Sequence, residues 1–158
     1  MEQGLRRALA AAYRLLARRD RSEHELRGAL EKRETPPDII DGAVEYLRER
    51  RLVDDRKFAH GRAQSLVRNK RVGPRYVRDA LKKCGIGEQL VQEAVAETFS
   101  DPERERNEIR ALIEKKSKTM KKNLAPLQRK KKLFDFLLRR GFSYDIVMKA
   151  LNAREDAE

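Results

Sequence analysis

The sequence predicts an all-α protein in which three tandem three-helix repeats form an elongated, curved array. Apolar residues recur at spacings of three and four along most of the chain, as they do on one face of an α-helix. Gly and Pro separate these stretches at intervals that suit short helices. One apolar pattern returns at positions 26, 77 and 133, which indicates an internal repeat of loose period.

The composition suits a repeat array better than one large globular core. The chain has 158 residues, of which 41% are charged and 6% aromatic, and it contains no Trp. The apolar residues are therefore spread thinly along the chain. A three-helix unit of this size cannot bury its apolar faces alone, so we expect the units to stack on one another and leave a long exposed surface.

Residues 1–52 form the first predicted repeat. Its first helix is amphipathic and is expected to run to about Arg19. Ser22 and Glu25 have the spacing of a capping box, which predicts the start of a second helix. Thr35, Pro36 and Pro37 end the second helix and start the third, because Pro is favoured in the first turn of a helix and disfavoured further inside.

Residues 53–100 form the second predicted repeat. Asp54 or Asp55 can cap its first helix, which we expect to end near residue 70. Gly73 and the Pro after it mark the next break, and Gly85 is expected to stop the second helix. A third helix follows, so the order of the first repeat returns.

Residues 101–158 form the third predicted repeat, which carries a lysine-rich link between its first two helices. The three repeats can be aligned through their buried positions and their glycines. The equivalent positions are Leu26, Val77 and Leu133; Leu30, Leu81 and Leu137; Gly85 and Gly141; and Ala94 and Ala150.

A net charge of +12 and an isoelectric point near 10.1 favour a polyanionic partner, such as DNA, RNA or an acidic protein groove. The excess of positive charge grows from +2 to +4 to +6 over the three predicted repeats.

The first candidate binding surface lies in residues 62–83, which contain eight Lys or Arg and one acidic residue. Arg75, Arg78 and Lys82 share one helical face, and Gly73 precedes a helix N-terminus whose free N–H groups could hold an anion. The alternative is a solvated outer face with no partner. The candidates for contact with carboxylates or phosphates are Arg62, Arg68, Lys70, Arg71, Arg75, Arg78 and Lys82.

The second candidate surface is the lysine-rich segment 115–132, which has nine basic residues and no acidic one. Each phosphate that it neutralised would make binding more dependent on salt. The alternative is a solvated, disordered link. The candidates here are Lys121, Lys122, Arg129 and Lys130.

We expect neither an enzyme nor a metal or cofactor site. Asp54 and Asp55 precede a helix without a catalytic companion, so capping explains them better than acid–base chemistry. His24 and His60 lack metal-ligand spacing. Cys84 follows a Lys that could lower its pKa, but no partner for nucleophilic catalysis is placed beside it.

The aromatic side chains are expected to pack rather than to bind. Phe58, Phe134, Phe136 and Phe142 lie within apolar helical stripes or at joints between helices. Tyr76 could stack at the surface, but a single tyrosine on a helix more often packs against a neighbouring helix.

Five segments together resemble the RecX family of regulatory proteins. Three are the stretches Arg19–Leu26, Leu52–Ala59 and Gly73–Leu81, and two later ones are Gly85–Ile86 and Phe136–Phe142. They cover nearly the whole chain in the family's order. The resemblance implies three tandem three-helix repeats that bind the RecA recombinase and its filament on single-stranded DNA. It further implies modulation, usually inhibition, of RecA's ATPase, strand-exchange and coprotease activities.

The chain departs from the family pattern in the first repeat, where Glu34-Thr35-Pro36-Pro37 stands instead of a Gly at the joint between the second and third helices, and in its lysine-rich link. The alternative function is a self-sufficient DNA-binding protein of helix-turn-helix type. The helix after Gly73 offers no Asn, Gln or Ser for base edges, which favours the first interpretation. We expect a monomer in the cytoplasm, because the sequence shows no signal or spanning segment and only one cysteine.

Overall fold

The computed structural model describes residues 2–155; residue 1 of the first predicted repeat and residues 156–158 of the third lie outside it. Within the described range the secondary structure consists of nine α-helices without a strand, so the all-α prediction is confirmed. The helices are α1 Glu2–Leu16, α2 Glu23–Glu31, α3 Pro37–Glu49, α4 Asp55–Lys70, α5 Pro74–Lys83, α6 Glu88–Thr98, α7 Pro102–Thr119, α8 Pro126–Arg139 and α9 Tyr144–Glu155.

The start of α2 confirms the predicted capping box. The Ser22 hydroxyl accepts a hydrogen bond from the Glu25 N–H at 3.1 Å, and the Glu25 carboxylate accepts one from the Ser22 N–H at 3.3 Å. This exchange satisfies two N–H groups that a helix start otherwise leaves unpaired. The preceding helix ends at Leu16, earlier than the expected Arg19.

Asp54 and Asp55 have separate structural roles. The Asp54 carboxylate accepts a hydrogen bond from the Lys57 N–H at 3.0 Å and so caps α4. The Asp55 carboxylate accepts one from the Glu23 N–H at 2.8 Å and so stabilises the start of α2 instead. Desolvation by burial raises the pKa of Asp55, and the Glu23 hydrogen bond opposes this shift.

The chain divides into two compact units. Of the described residues, the first unit takes those up to Arg62 together with Ala80–Ala94, and the second takes Ala63–Asp79 with those from Val95 onward. The units share residues 53–100 between them, and the predicted repeat boundaries at 52 and 100 stay a prediction. The main core of the first unit contains Ala8, Ala11, Ala12, Leu26, Leu30, Ile39, Ile40, Ala43, Val44, Leu47 and Val53. The main core of the second contains Ile109, Leu112, Ile113, Leu133, Leu137, Phe142, Val147 and Leu151.

In the first unit, the start of α2 packs on the corner that follows α5. The fully buried Ser22 hydroxyl donates a hydrogen bond to the Cys84 carbonyl at 2.5 Å. Gly85 adopts φ +75° there, and a Cβ atom on it would collide with the side chain of His24. Gly is needed at this corner for both reasons.

In the second unit, the start of α5 packs in the same way on the corner that follows α8. The Gly73 N–H donates to the Arg140 carbonyl at 2.8 Å, and the Arg75 N–H donates to the Gly141 carbonyl at 3.0 Å. A Cβ atom on Gly73 would lie 2.5 Å from the carbonyl carbon of Gly141. Gly73 is equivalent to Ser22 in the repeat alignment, so each unit contains one copy of the same joint.

The corner between the second and third helices is left-handed in every repeat. Glu34, Gly85 and Gly141 are equivalent in the alignment and have φ values of +57°, +75° and +89°. An L-residue is strained in this region by about 1–2 kcal/mol, because its Cβ approaches the following carbonyl oxygen. Glu34, where the chain departs from the expected Gly, therefore takes the backbone conformation of a glycine.

Replacing Glu34 by Gly is expected to raise the free energy of unfolding by about 0.5–1 kcal/mol, because relief of strain exceeds the added freedom of the unfolded chain. Replacing Gly85 by Ala should lower it by roughly 2–4 kcal/mol, through strain and collision. Urea unfolding followed by circular dichroism measures both. A loss of stability in Glu34→Gly would contradict the left-handed corner of the first repeat.

Replacing Asp55 by Asn keeps an oxygen acceptor for the Glu23 N–H and removes a half-buried charge. At neutral pH we expect Asp55→Asn to be at least as stable as wild type, and Asp55→Ala to lose about 1 kcal/mol with the acceptor. Burial raises the pKa of Asp55 in the folded protein above its value in the unfolded chain, which is near 3.8. The Asp55 carboxyl therefore stabilises the fold at pH values below 3.8, and this stabilisation is lost as the pH rises through the folded-state pKa. Unfolding curves from pH 7 to 3.5 should therefore show the free energy of unfolding of wild type rising relative to that of Asp55→Asn as the pH falls. A difference between the two proteins that does not depend on pH would contradict this.

Candidate functional site

The structure divides the first predicted set of basic residues between the two compact units. All seven side chains are exposed to solvent, except that Arg78 is half-buried. Arg62 and Lys82 belong to the first unit. The second unit contains Arg68, Lys70, Arg71, Arg75 and Arg78.

The predicted basic face of α5 is present on that helix. Arg75, Arg78 and Lys82 follow one another at spacings of three and four residues, and these place them on one side of the helix. Lys82 forms an ion pair with Glu88, with its Nζ 2.9 Å from a carboxylate oxygen. Among residues 2–155 no ion pair involves Arg75 or Arg78, so both guanidinium groups are available to an anion.

The prediction that free N–H groups at the N-terminus of α5 could bind an anion is wrong. The Gly73 and Arg75 N–H groups donate to the carbonyls of Arg140 and Gly141, and Gly73 is buried in this joint. N–H groups paired in this way cannot bind a phosphate. The sequence pattern that predicts a free helix start also fits a helix start that packs against another part of the chain.

A basic cleft of about 890 Å³ lies in the second unit, and we call it the basic cleft throughout. It is formed by the C-terminal ends of α4, α7 and α8, the first turn of α5 and the residues between α4 and α5. Six lining residues are basic and none is acidic. The basic ones are Lys70, Arg71, Lys115, Lys116, Arg139 and Arg140. The others are Asn69, Val72, Tyr76, Leu112, Thr119 and Phe136.

Two cations of the basic cleft lie near the Phe136 ring. The Nζ of Lys116 lies 5.2 Å from the centre of the Phe136 ring, and the guanidinium carbon of Arg140 lies 5.1 Å from it. Both distances are typical of cation–π interactions. Phe136 also packs against the core of the second unit, so the predicted core role is only part of its contribution.

The cleft wall between α4 and α5 is held by hydrogen bonds from Arg140. Its guanidinium donates to the Lys70 carbonyl and, at 3.4 Å, to the Arg71 carbonyl. Nearby, Lys70 donates to the Tyr76 hydroxyl at 3.4 Å, and its Nζ lies 5.8 Å from the centre of that ring. Tyr76 is half-buried, so part of its side chain packs inside the unit and part faces the cleft.

The second predicted set does not line the cleft. Lys121 and Lys122 lie exposed in the link between α7 and α8, and Arg129 donates a hydrogen bond to the Lys121 carbonyl at 3.4 Å. Lys130 donates to the Asn152 side chain at 2.9 Å. Lys115 and Lys116, at the start of the predicted segment 115–132, line the cleft instead, although they were not among its four candidates. Arg139 and Arg140 also line it and lie outside both predicted surfaces. Their sequence signal is that they are basic residues near a helix C-terminus, which the helix dipole favours in any protein.

The titratable groups give no support to a catalytic site. Burial raises the pKa of the Cys84 thiol, with Glu25 acting in the same direction and Arg62 and Arg19 opposing it, so the lowering that the neighbouring Lys could have caused is not found. Within the part of the chain that the structure describes, no group of three or more His, Cys, Asp or Glu is placed to hold a metal ion. Among the same residues, none of the helices has the length and apolar character needed to span a membrane.

Family models of three RecX domains match this chain in order. The first three-helix domain matches residues 8–47, the second 54–95 and the third 104–151. Each match lies within one predicted repeat.

Curated proteins named "Regulatory protein RecX" are similar to the chain over most of its length. The Chlorobaculum tepidum protein is 35% identical over 141 residues, which are 89% of this chain and 83% of that protein. The Deinococcus radiodurans protein is 32% identical over 150 residues, 95% and 68% of the two chains. The Geobacillus kaustophilus protein is 29% identical over 147 residues, 93% of this chain but 54% of that one. The chain thus spans about half the length of several of its relatives.

Two solved structures share the fold. The crystal structure of RecX from Lactobacillus salivarius aligns with a TM-score of 0.87 at 20% identity and covers 97% of both chains. A second structure, described as a crystal structure of regulatory protein RecX, aligns with a TM-score of 0.85 at 23% identity and covers 94% of this chain and 73% of that one. Because the sequence identities are below 25%, these two structures are evidence of the fold alone.

The Cys84 thiol is expected to react slowly with an aromatic disulfide reagent at pH 8, because burial raises its pKa and the thiolate is the reactive form. Cys84 is the only cysteine, so the same chain unfolded in guanidinium chloride is the matched reference. The absorbance of the released thiol should rise several-fold more slowly for the folded protein. Equal rates would contradict the raised pKa.

Proposed function

Because this chain belongs to the RecX family of regulatory proteins, we propose that it binds the RecA recombinase and the RecA filament on single-stranded DNA. Binding modulates, mostly by inhibition, the ATPase, strand-exchange and coprotease activities of RecA. The protein then acts in the cytoplasm as a regulator of homologous recombination and the SOS response, as a monomer. The match of all three RecX domains, in order, to a single chain is the observation that carries this proposal.

The proposed mechanism requires binding without chemistry. A protein that binds one state of a filament more tightly than another shifts the filament toward the favoured state. A hundredfold difference in affinity corresponds to about 2.7 kcal/mol, which is enough to change the balance between active and inactive filament. In support of a non-enzymatic role, Asp54 and Asp55 form helix-start hydrogen bonds, and burial raises the pKa of Cys84.

The proposed contacts are charge-assisted hydrogen bonds from basic side chains to carboxylates of RecA or phosphates of DNA. The first set remains Arg62, Arg68, Lys70, Arg71, Arg75, Arg78 and Lys82, and the second Lys121, Lys122, Arg129 and Lys130. We also propose repeat boundaries near residues 52 and 100, which enclose the three matched domains.

The alternative of a self-sufficient helix-turn-helix protein has less support. A recognition helix presents its first turn to base edges in the major groove. The first turn of α5 is packed instead on the corner after α8, where its N–H groups are bonded to the Arg140 and Gly141 carbonyls. The helix also lacks the Asn, Gln and Ser side chains that read base edges.

The test is the single-stranded-DNA-dependent ATPase activity of RecA with this protein added. We expect wild type to suppress turnover at amounts below those of RecA. A variant with Arg71, Arg75, Arg78 and Lys82 changed to Glu should need at least a tenfold higher concentration, since a loss of about 1.4 kcal/mol is enough for that.

The matched control changes the same number of charges elsewhere. Arg7, Arg14, Arg18 and Arg33 are exposed residues of the first unit, and their change to Glu alters the net charge equally. This control should inhibit like wild type. If both variants inhibit the RecA ATPase equally weakly, the regulatory role stands and the site assignment is wrong. If wild type has no effect on the RecA ATPase, the proposed function is wrong.

A further inference from the structure

The basic cleft has a large surplus of positive charge. Six cations and no carboxylate line it, and within residues 2–155 no ion pair involves Lys115 or Arg139. Arg71 is a cleft cation with an acidic partner, since its Nε lies 3.8 Å from a Glu108 carboxylate oxygen. Charges of one sign in a concave surface strengthen each other's field and attract a counter-ion of high charge.

Helix dipoles compensate only part of this charge. Three helices, α4, α7 and α8, have their C-terminal ends at the cleft. Each end is equivalent to about half a negative charge, so together they offset roughly a quarter of the six positive charges. The cleft therefore remains strongly positive, and stabilisation of helix ends accounts for a minor part of it.

Several of these cations are held in position before any ligand arrives. Arg140 is bound to the carbonyls of Lys70 and Arg71 and lies against the Phe136 ring, whose other cation is Lys116. Side chains that are already ordered lose less conformational entropy on binding than free ones. The cleft is thus prepared for an anion that offers several acceptors at once.

The polar groups of the cleft favour a phosphate chain over an acidic peptide. A phosphodiester backbone brings hydrogen-bond acceptors only, and the cleft supplies donors from six basic side chains. A peptide also brings N–H donors, which need acceptors when water is removed. The side chains of the lining that can accept are those of Asn69, Tyr76 and Thr119, and none of them is a carboxylate.

The shape and the aromatic side chain favour a single strand over a duplex. Phosphates on the convex surface of a duplex reach the rim of a concave site, whereas a flexible strand can enter it. Tyr76 lines the cleft and offers a ring for a base, as in grooves that bind single strands without regard to sequence. Asn69 is the one amide in the lining, so only one side chain there is of the type that reads adenine.

From these observations we propose that the basic cleft binds the phosphate backbone of single-stranded nucleic acid directly, with Tyr76 stacking on one base. The biological setting of this contact rests on the proposed function, since a RecA filament contains a single strand. The contact itself needs no RecA. It places the DNA contact on Lys70, Arg71, Lys115, Lys116, Arg139 and Arg140, and leaves the basic face of α5 for another role.

The test measures binding of the whole chain to a fluorescently labelled 20-nucleotide oligothymidylate by anisotropy, without RecA, from 50 to 200 mM salt. Each phosphate contact to a single strand contributes about 0.7 to the slope of log K against log salt. The variant Lys115→Ala with Arg139→Ala, two exposed helical positions, should lower the slope by about 1.4.

The control variant is Arg7→Ala with Arg14→Ala, which removes the same charge from exposed positions of the first unit, outside the cleft. Its slope should change by less than half as much. Equal losses of slope in the two double variants would overturn the assignment to the cleft. Displacement of the oligonucleotide by poly-glutamate at an equal concentration of charge would identify an acidic protein segment as the ligand, and tighter binding of a duplex of the same length would exclude the single strand.

Tyr76 provides a second readout that does not depend on charge. Tyr76→Phe keeps the ring and should bind the oligonucleotide like wild type. Tyr76→Leu keeps apolar bulk but removes the stacking surface, and should weaken binding about fivefold or more. Equal affinities of the Phe and Leu variants would overturn the stacking role.

The two proposals can fail separately. If wild type inhibits the RecA ATPase but does not bind the oligonucleotide, the direct contact is wrong and the regulatory function stands. If it binds the oligonucleotide through the cleft but does not affect RecA, the cleft assignment stands and the regulatory function is wrong.

Discussion

The structure depends on one contact, in which the start of a repeat's second helix packs on the left-handed corner of the next repeat. In the first unit Ser22 donates to the Cys84 carbonyl beside Gly85, and in the second Gly73 donates to the Arg140 carbonyl beside Gly141. The two backbones approach so closely that a Cβ atom on any of the three glycines would collide with its neighbour. Each joint therefore requires a positive φ, a small residue and a paired N–H or hydroxyl at the same place.

The basic cleft follows from the second joint. Because Gly73 touches Gly141, the end of α4 and the start of α5 lie against the end of α8, and Arg140 takes part on both sides. Its carbonyl accepts from Gly73, while its guanidinium donates to the carbonyls of Lys70 and Arg71. One residue thus links the packing of two repeats to the charge that lines the cleft. A change at this joint should alter stability and binding together.

The cleft also shows a conflict between stability and function. Six basic residues at close range repel one another, and a protein selected for stability alone would place acids among them. The helix C-termini, the Phe136 ring and the Arg71–Glu108 ion pair each compensate part of this charge, and together they leave a surplus. Under the proposed binding of a polyanion, the remaining repulsion is relieved.

Local features of this protein were determined by its sequence alone. The capping box of Ser22 and Glu25, the helix starts at Pro37 and Pro74, and the buried positions of each second helix depend on hydrogen bonds and spacing within a few residues. Only the tertiary structure decided that the N–H groups at the start of α5 are bonded and that Lys70, Lys115 and Arg140 share one cleft. These depend on contacts between residues up to 70 positions apart, which no local pattern of charge or hydrophobicity encodes.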